Sequence, residues 1–150
     1  MKVVIIVLLV VNMFSMLCAE KPNVSVFFKE KKPSQLVLVK VDSLLQNYQD
    51  YNIQYFNIEE ESTAEVSKGI GLPDTHFPFA VVIDGKFTAN IDGEVVSFVH
   101  FPTFMHGIGR HEGNWSLENL QIVLENIECL SDNGVLPVLD EFEESSECEE

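Results

Sequence analysis

The sequence predicts an α/β fold in which a mixed central sheet lies between layers of helices. Strand-like segments rich in β-branched and aromatic residues alternate with segments whose apolar residues recur every three or four positions. Their order is strand, helix, strand, helix, strand, strand, helix, and two Asp-Gly pairs mark hairpin turns. A strand–helix–strand unit followed by an antiparallel hairpin and a covering helix is typical of a three-layer sandwich.

The elements of the first half follow from local patterns. Residues 24–28 are β-branched and aromatic, which favours a strand. Pro33-Ser34 then opens a predicted helix with Ser34 as its N-cap, and apolar residues follow along one stripe as far as Tyr51. Residues 53–58 alternate between apolar and polar side chains, which predicts a second strand.

A short second helix is predicted over residues 63–68, after the acidic run that closes the second strand. Ser62 is its expected N-cap, and Glu65 lies three residues further on, as in a capping box. Gly69 and Gly71 mark its end, because glycine readily adopts the left-handed conformation that terminates helices.

The second half predicts a meander of three antiparallel strands. Asp84-Gly85 and Asp92-Gly93 are hairpin signals, since both residues of such a turn need positive φ. The predicted strands that these turns connect are residues 79–83, 87–91 and 94–98.

The chain ends in a predicted helix and an acidic tail. Ser116 precedes residues 117–127, whose apolar residues recur at helical spacing, so a helix capped by Ser116 is predicted. A loop rich in glycine, aromatic residues and histidine precedes it. The domain is predicted to span residues 20–130. Residues 131–150 are acidic, contain no Lys or Arg, and are predicted to form a disordered tail.

The N-terminal segment is set apart from this domain. Met1-Lys2 precedes an apolar run, and the small residue Ala19 follows it. Residues 1–19 are therefore predicted to be a secretory signal peptide, with an uncleaved membrane anchor as the alternative. The expected location is outside the cell, in the lumen of the secretory pathway or in a periplasm-like compartment.

The charge balance restricts the partners. The chain has 24 acidic and 9 basic residues and a formal net charge of −15 at pH 7. Such a chain repels phosphate backbones and anionic lipids, which excludes nucleic acid and, unless the N-terminal segment stays uncleaved, a membrane. A protein or peptide is the expected partner.

Several segments together are similar to the thioredoxin superfamily. Residues 31–59 resemble, without a gap, the thioredoxin segment that opens with Cys-Gly-Pro-Cys. Phe77-Pro78-Phe79 resembles the cis-proline segment that leads into the third strand, and residues 84–86 resemble the hairpin after it. The resemblance covers residues 24–127, with residues 94–115 as an insertion before the last helix. The four positions of the Cys-Gly-Pro-Cys motif are occupied here by Lys31, Lys32, Pro33 and Ser34.

The resemblance implies a thioredoxin-like sandwich that lacks the Cys-x-x-Cys motif and its chemistry. Thiol–disulfide exchange needs a thiolate and a resolving thiol, and neither the amine of Lys31 nor the hydroxyl of Ser34 can hold a disulfide. The expectation is a redox-inactive, peptide-binding or chaperone-like module that is not an enzyme and uses no cofactor. Its implied binding groove, where an extended peptide adds as a strand, comprises Lys31, Lys32, Pro33, Ser34, His76, Phe77 and Pro78. The alternative is that Pro78 only ends a loop and that Phe77 is a core residue.

The cysteines leave an alternative open. Cys129 and Cys148 are predicted to form a disulfide, because an exported chain meets oxidising conditions. The alternative function is that of a thiol–disulfide oxidoreductase or redox-homeostasis protein that uses this pair. The surrounding carboxylates disfavour it, since they raise the pKa of a thiol.

Three histidines suggest a further alternative, a metal-binding protein. His100, His106 and His111 flank the inserted loop, and Glu112 is adjacent to the last of them. Imidazole and carboxylate groups bind zinc or iron. Their spacing matches neither helical nor finger-type ligand sets, so they are only weak candidates for metal ligands.

Overall fold

The computed structural model describes residues 20–73, 77–105 and 111–134. Within these ranges the chain is a mixed α/β protein with three helices and two small sheets. Two single 3-10 turns are also present, at Thr103–Met105 and Ile127–Cys129. In chain order the elements are β1 (Asn23–Phe28), α1 (Lys32–Leu45), β2 (Asn52–Asn57), α2 (Glu61–Ile70), β3 (Phe79–Ile83), β4 (Thr88–Ile91), β5 (Glu94–Ser97), α3 (Leu117–Glu125) and β6 (Leu130–Ser131).

The first sheet has the strand order β2-β1-β3. β1 pairs in parallel with β2, from Asn23 opposite Asn52 to Phe28 opposite Asn57. β3 runs antiparallel to β1 on its other side. The parallel pair is joined by α1, as parallel strands require a crossover connection. The predicted strand–helix–strand unit and the mixed sheet are therefore confirmed.

The second sheet has the order β5-β4-β6 and is antiparallel. Asp84 and Asp92 have φ of 47° and 52°, and Gly85 and Gly93 follow with 75° and 88°. Both predicted Asp-Gly turns thus have the two positive φ angles of a tight hairpin.

The predicted meander forms only in part. β3 and the strand after it share a single bridge, between Ile83 and Lys86. The edge of β3 is instead occupied by the chain after β5, where Val81 N–H donates to Phe98 O at 2.9 Å. His100 N–H likewise donates to Phe79 O at 2.9 Å. The chain that leaves β5 thus joins the two sheets.

Helices cover both faces of the first sheet. Alternation along β1 directs Val24 and Val26 into a cluster with apolar residues of α1 and α3. Phe27, on the other face, packs with Phe56 and with Ile70 at the end of α2. The burial of apolar side chains on both faces is the main force that holds these layers together.

Two of the three predicted helix starts are wrong. α1 begins at Lys32 with Lys31 as N-cap, and the expected cap Ser34 lies inside the first turn. α2 begins at Glu61 with Glu60 as N-cap, so Ser62 does not cap it. Only Ser116 caps as predicted, since its hydroxyl accepts from the Asn119 N–H.

Several element ends also differ from their predictions. α1 ends at Leu45, so Tyr48 and Tyr51 lie beyond it rather than on its apolar stripe. They still pack against the core, and the Tyr51 hydroxyl donates to Leu124 O at 2.7 Å. The tertiary contact, rather than helical geometry, places these two rings.

The folded part extends past the predicted boundary at residue 130. β6 pairs with β4 through Ser131, and the Asn133 side chain accepts from Phe87 N–H at 2.8 Å. The remainder of the predicted tail and the predicted signal segment lie outside the described residues. None of the helices in the described ranges has the length and apolar content that a membrane crossing requires.

Candidate binding site at the start of helix α1

Ser34 joins the start of α1 to the start of β3. Its side chain is buried, its Oγ accepts from Lys29 N–H at 2.8 Å, and its hydroxyl donates to Pro78 O at 3.0 Å. The structure thus brings together two of the groove residues predicted from the sequence, although they are 44 positions apart. Because this one hydroxyl both accepts and donates, Ser34 acts as a structural clip between two backbone segments.

Lys31 links the same region to the end of β2. Its Nζ lies 2.9 Å from Glu59 Oε1, and the two side chains are 70% and 40% exposed. The hydrogen bond from Lys31 is the main reason that the pKa of Glu59 lies below its ordinary value. Since both side chains are well exposed, the pair contributes little to stability.

Among the described groove residues, the exposed ones lie at the N-cap and first turn of α1. Lys32 and Pro33 are exposed, as is Lys31. Phe77 is 4% exposed and belongs to the core, where its ring lies edge to face with that of Phe27 and the ring centres are 6.4 Å apart. Phe77 therefore lies in the core and does not line an open groove, in line with the alternative given for it above.

Pro78 also departs from its prediction. It is buried, and no peptide bond in the described ranges is cis, so the Phe77–Pro78 bond is trans. The trans isomer is the usual state of a bond to proline. His76 lies outside the described residues, so its predicted place in the groove is a prediction only.

A stripe on α1 continues from this exposed turn. Leu36 and Val39 are 60% and 65% exposed, and they follow Lys32 at helical spacing. Beside them, Lys40 Nζ lies 5.2 Å from the ring centre of Phe104, which is itself 38% exposed. We call Lys32, Leu36, Val39, Lys40 and Phe104 the α1 surface. It combines lysines with apolar side chains in an acidic protein.

The cysteine prediction is only partly within the described structure. Cys129 is half-buried in the 3-10 turn after α3 and packs against the core, and it forms no disulfide within the described residues. Cys148 lies outside the described residues, so their disulfide stays a prediction.

The histidines do not form a three-ligand site within the described ranges. His100 and His111 lie with ring centres 6.4 Å apart, and His106 is outside these ranges. No group of three metal-ligating residues is found among those the structure describes. Burial lowers the pKa of His100 below its ordinary value, and the nearby His111 lowers it further.

A groove that the sequence did not predict lies at the C-terminal end of β2. It has a volume of about 390 Å³ and lies between β2 and α2. The sequence signal for it was the aromatic pair Tyr55-Phe56, followed closely by the run Glu59–Glu60–Glu61. The side chains that line it include Phe28, Glu30, Tyr55, Phe56, Glu60 and Val66.

Comparisons with protein families, with curated proteins and with solved structures found no match for this chain. The fold thus defines a mixed α/β protein, and the site is defined only by its own residues.

Proposed function

We propose that the protein is a thioredoxin-like domain that binds protein segments without dithiol chemistry. The arrangement that supports the fold assignment is a parallel β1–β2 pair joined by a helix, with β3 antiparallel beside it. Helices on both faces, and a helix that begins at the position of the missing motif, are further features in common with that fold.

The observation that carries the proposal is the clip at Ser34. In a thioredoxin this position holds the second cysteine of the motif. Here its hydroxyl bonds Lys29 N–H and Pro78 O at 2.8 and 3.0 Å, and the Lys31 amine is paired with Glu59. Neither group can accept or release electrons as a dithiol does, so this site would serve as a scaffold.

The proposed binding surface is the α1 surface. Exposed Leu36 and Val39 offer apolar contact area, while Lys32 and Lys40 favour partners that carry carboxylates. An unfolded or partly folded protein segment with apolar and acidic residues has the matching chemistry. The proposed compartment is an exported one, which depends on the predicted signal at residues 1–19.

One assay tests both parts of the proposal. Insulin incubated with dithiothreitol becomes turbid as its reduced B chain aggregates. An oxidoreductase shortens the lag before turbidity, whereas a binding module lengthens it. We expect the full chain to lengthen the lag at equimolar concentration, and a shortened lag would refute the proposal.

A matched pair of variants locates the surface. The double substitution Leu36→Asp and Val39→Asp should abolish the delay, because it places carboxylates on the apolar stripe. Val95→Asp is the control, since Val95 on β5 is 60% exposed, as Leu36 is, but lies outside the α1 surface. A delay that survives the double substitution, or is lost equally in the control, would reject the α1 surface as the binding site.

A further inference from the structure

We infer that the groove at the end of β2 binds the side chain of an Arg or Lys residue in a partner segment that lies along the outer edge of β2. This site is separate from the α1 surface and does not depend on the function proposed above. An open strand edge, the shape of the groove and its charge support it.

The outer edge of β2 is open within the described part of the chain. β2 is the first strand in its sheet, and its six residues pair only with β1. Sheet edges are commonly protected by proline, lysine or a bulge. β2 has the sequence Asn-Ile-Gln-Tyr-Phe-Asn and pairs in unbroken register, so it has none of these. Such an edge can accept an extended segment through backbone hydrogen bonds.

The groove wraps around this edge. Tyr55 and Phe56 are consecutive, so their side chains point to opposite faces of β2, yet both line the groove. Val66 of α2 forms part of its wall, and Tyr55 and Val66 are 45% and 38% exposed. The volume of about 390 Å³ is ample for one long side chain that leaves a strand on the outer edge.

The charge of the groove selects a cation. Glu30 and Glu60 line it, and among the residues that the structure describes no lysine or arginine does. The two ion pairs in the described part of the chain use Glu59 and Asp132 instead. A neutral or acidic occupant would leave the carboxylates of Glu30 and Glu60 uncompensated, whereas Arg or Lys would neutralise them.

The aromatic walls suit the rest of such a side chain. The methylene stem of Arg or Lys packs on apolar surface, and its charged group is attracted to the face of an aromatic ring. Phe28, Tyr55 and Phe56 provide these surfaces. The Tyr55 hydroxyl donates to Asp42 Oδ1 at 2.5 Å, which holds the ring in place.

The same charges disfavour a second copy of the chain as the occupant. β2 contains no basic residue. A β2 strand from a second copy would therefore bring no cation to either groove, and the carboxylates of Glu30 and Glu60 would stay uncompensated. A basic extended segment is therefore the occupant that the site fits.

Peptide binding to the full chain tests the inference. The probe is a Thr-Val-Arg-Val-Thr amide with fluorescein on its N-terminal amine, and the comparison peptide has Gln in place of Arg. Fluorescence anisotropy at low salt should give an affinity about tenfold higher for the Arg peptide, as expected for one charge-assisted contact. A Lys peptide should behave like the Arg peptide, and a peptide with alternate backbone N-methyl groups should bind at least tenfold more weakly.

Two isosteric variants distinguish the effect of a charge in the groove from the effect of the net charge of the protein. Glu60→Gln should weaken binding of the Arg peptide about fivefold to tenfold, and its helix should persist because the Glu60 side chain makes no capping hydrogen bond. Glu65→Gln removes the same charge from α2 outside the groove lining and should change affinity less than twofold. The inference would be overturned by equal affinity for the Arg and Gln peptides or by equal effects of the two variants. A dimer that forms through β2, detected by light scattering, would also overturn it. None of these outcomes bears on the insulin assay.

Discussion

Replacing Ser34 by alanine should destabilise the protein more than the loss of one hydroxyl group usually does. The substitution leaves Lys29 N–H and Pro78 O without their partner in a buried place. An unmade hydrogen bond at a buried polar group costs about 1–3 kcal/mol. Because Lys29 is only half-buried, its N–H can gain partial access to water, which reduces this cost. We therefore expect the free energy of unfolding to fall by about 2–4 kcal/mol, a large share of the ~5–15 kcal/mol typical of a domain.

Urea unfolding followed by far-ultraviolet circular dichroism measures this change, with the m-value as a check that the unfolded surface is unchanged. Ser43→Ala is the matched control. The Ser43 hydroxyl donates to Val39 O at 2.8 Å within α1, but the site is exposed, so its loss should cost less than about 0.5 kcal/mol. The loss of stability in Ser34→Cys should lie between those of Ser34→Ala and Ser43→Ala, because a thiol is a weak donor and acceptor. A Ser34→Ala protein within about 0.5 kcal/mol of the parent would show that the clip does not hold these segments together.

Two further predictions concern the insertion before α3. Gly113→Ala should lower the free energy of unfolding by more than about 2 kcal/mol, because its Cβ would lie 2.5 Å from Val99 O. The control Gly134→Ala, with no atom within 4 Å, should have little effect in the same urea titration, and equal losses would contradict this reasoning. Burial lowers the pKa of His100 in the folded state, so the imidazole of the unfolded chain binds a proton more readily. The free energy of unfolding should therefore fall as the pH decreases through 6.5. His100→Asn, which tolerates the observed φ of 68°, should reduce this fall between pH 7.5 and 5.5, and an unchanged pH profile would exclude His100 as its source.

Local chemistry was sufficient to predict those elements whose determinants are adjacent in the sequence. Both Asp-Gly turns need only the two residues that adopt positive φ. The cap of α3 needs only Ser116 and Asn119, which bond each other's backbone. β3 is a continuous apolar run, and all of it is buried in the first sheet. In each case no distant residue competes for the same groups.

The errors occurred where a distant residue competes. Ser34 has the chemistry of an N-cap, but the buried Pro78 carbonyl is its partner instead. Phe77 was placed in an open groove by resemblance, whereas its ring fills the core beside Phe27. β6 is two residues long and has no pattern of its own, since it exists only because β4 offers an edge. Propensity cannot reveal such pairings, because they are decided by what the rest of the chain places nearby.

The candidate binding surfaces also depend on contacts between residues that are distant in the sequence. The groove predicted by resemblance depended on residues that tertiary packing buried, and of its described members only Lys31, Lys32 and Pro33 are exposed. The groove at β2 was missed because Glu30 and Glu60 become neighbours of Tyr55 only when β1 and β2 pair and α2 folds back. The Lys31–Glu59 pair lies between the two surfaces and joins the start of α1 to the end of β2. On one side of it lysines flank exposed apolar residues, and on the other carboxylates flank aromatic rings. Because these charges are opposite, a segment that suits one surface is repelled by the other, and the two binding proposals can fail or succeed independently.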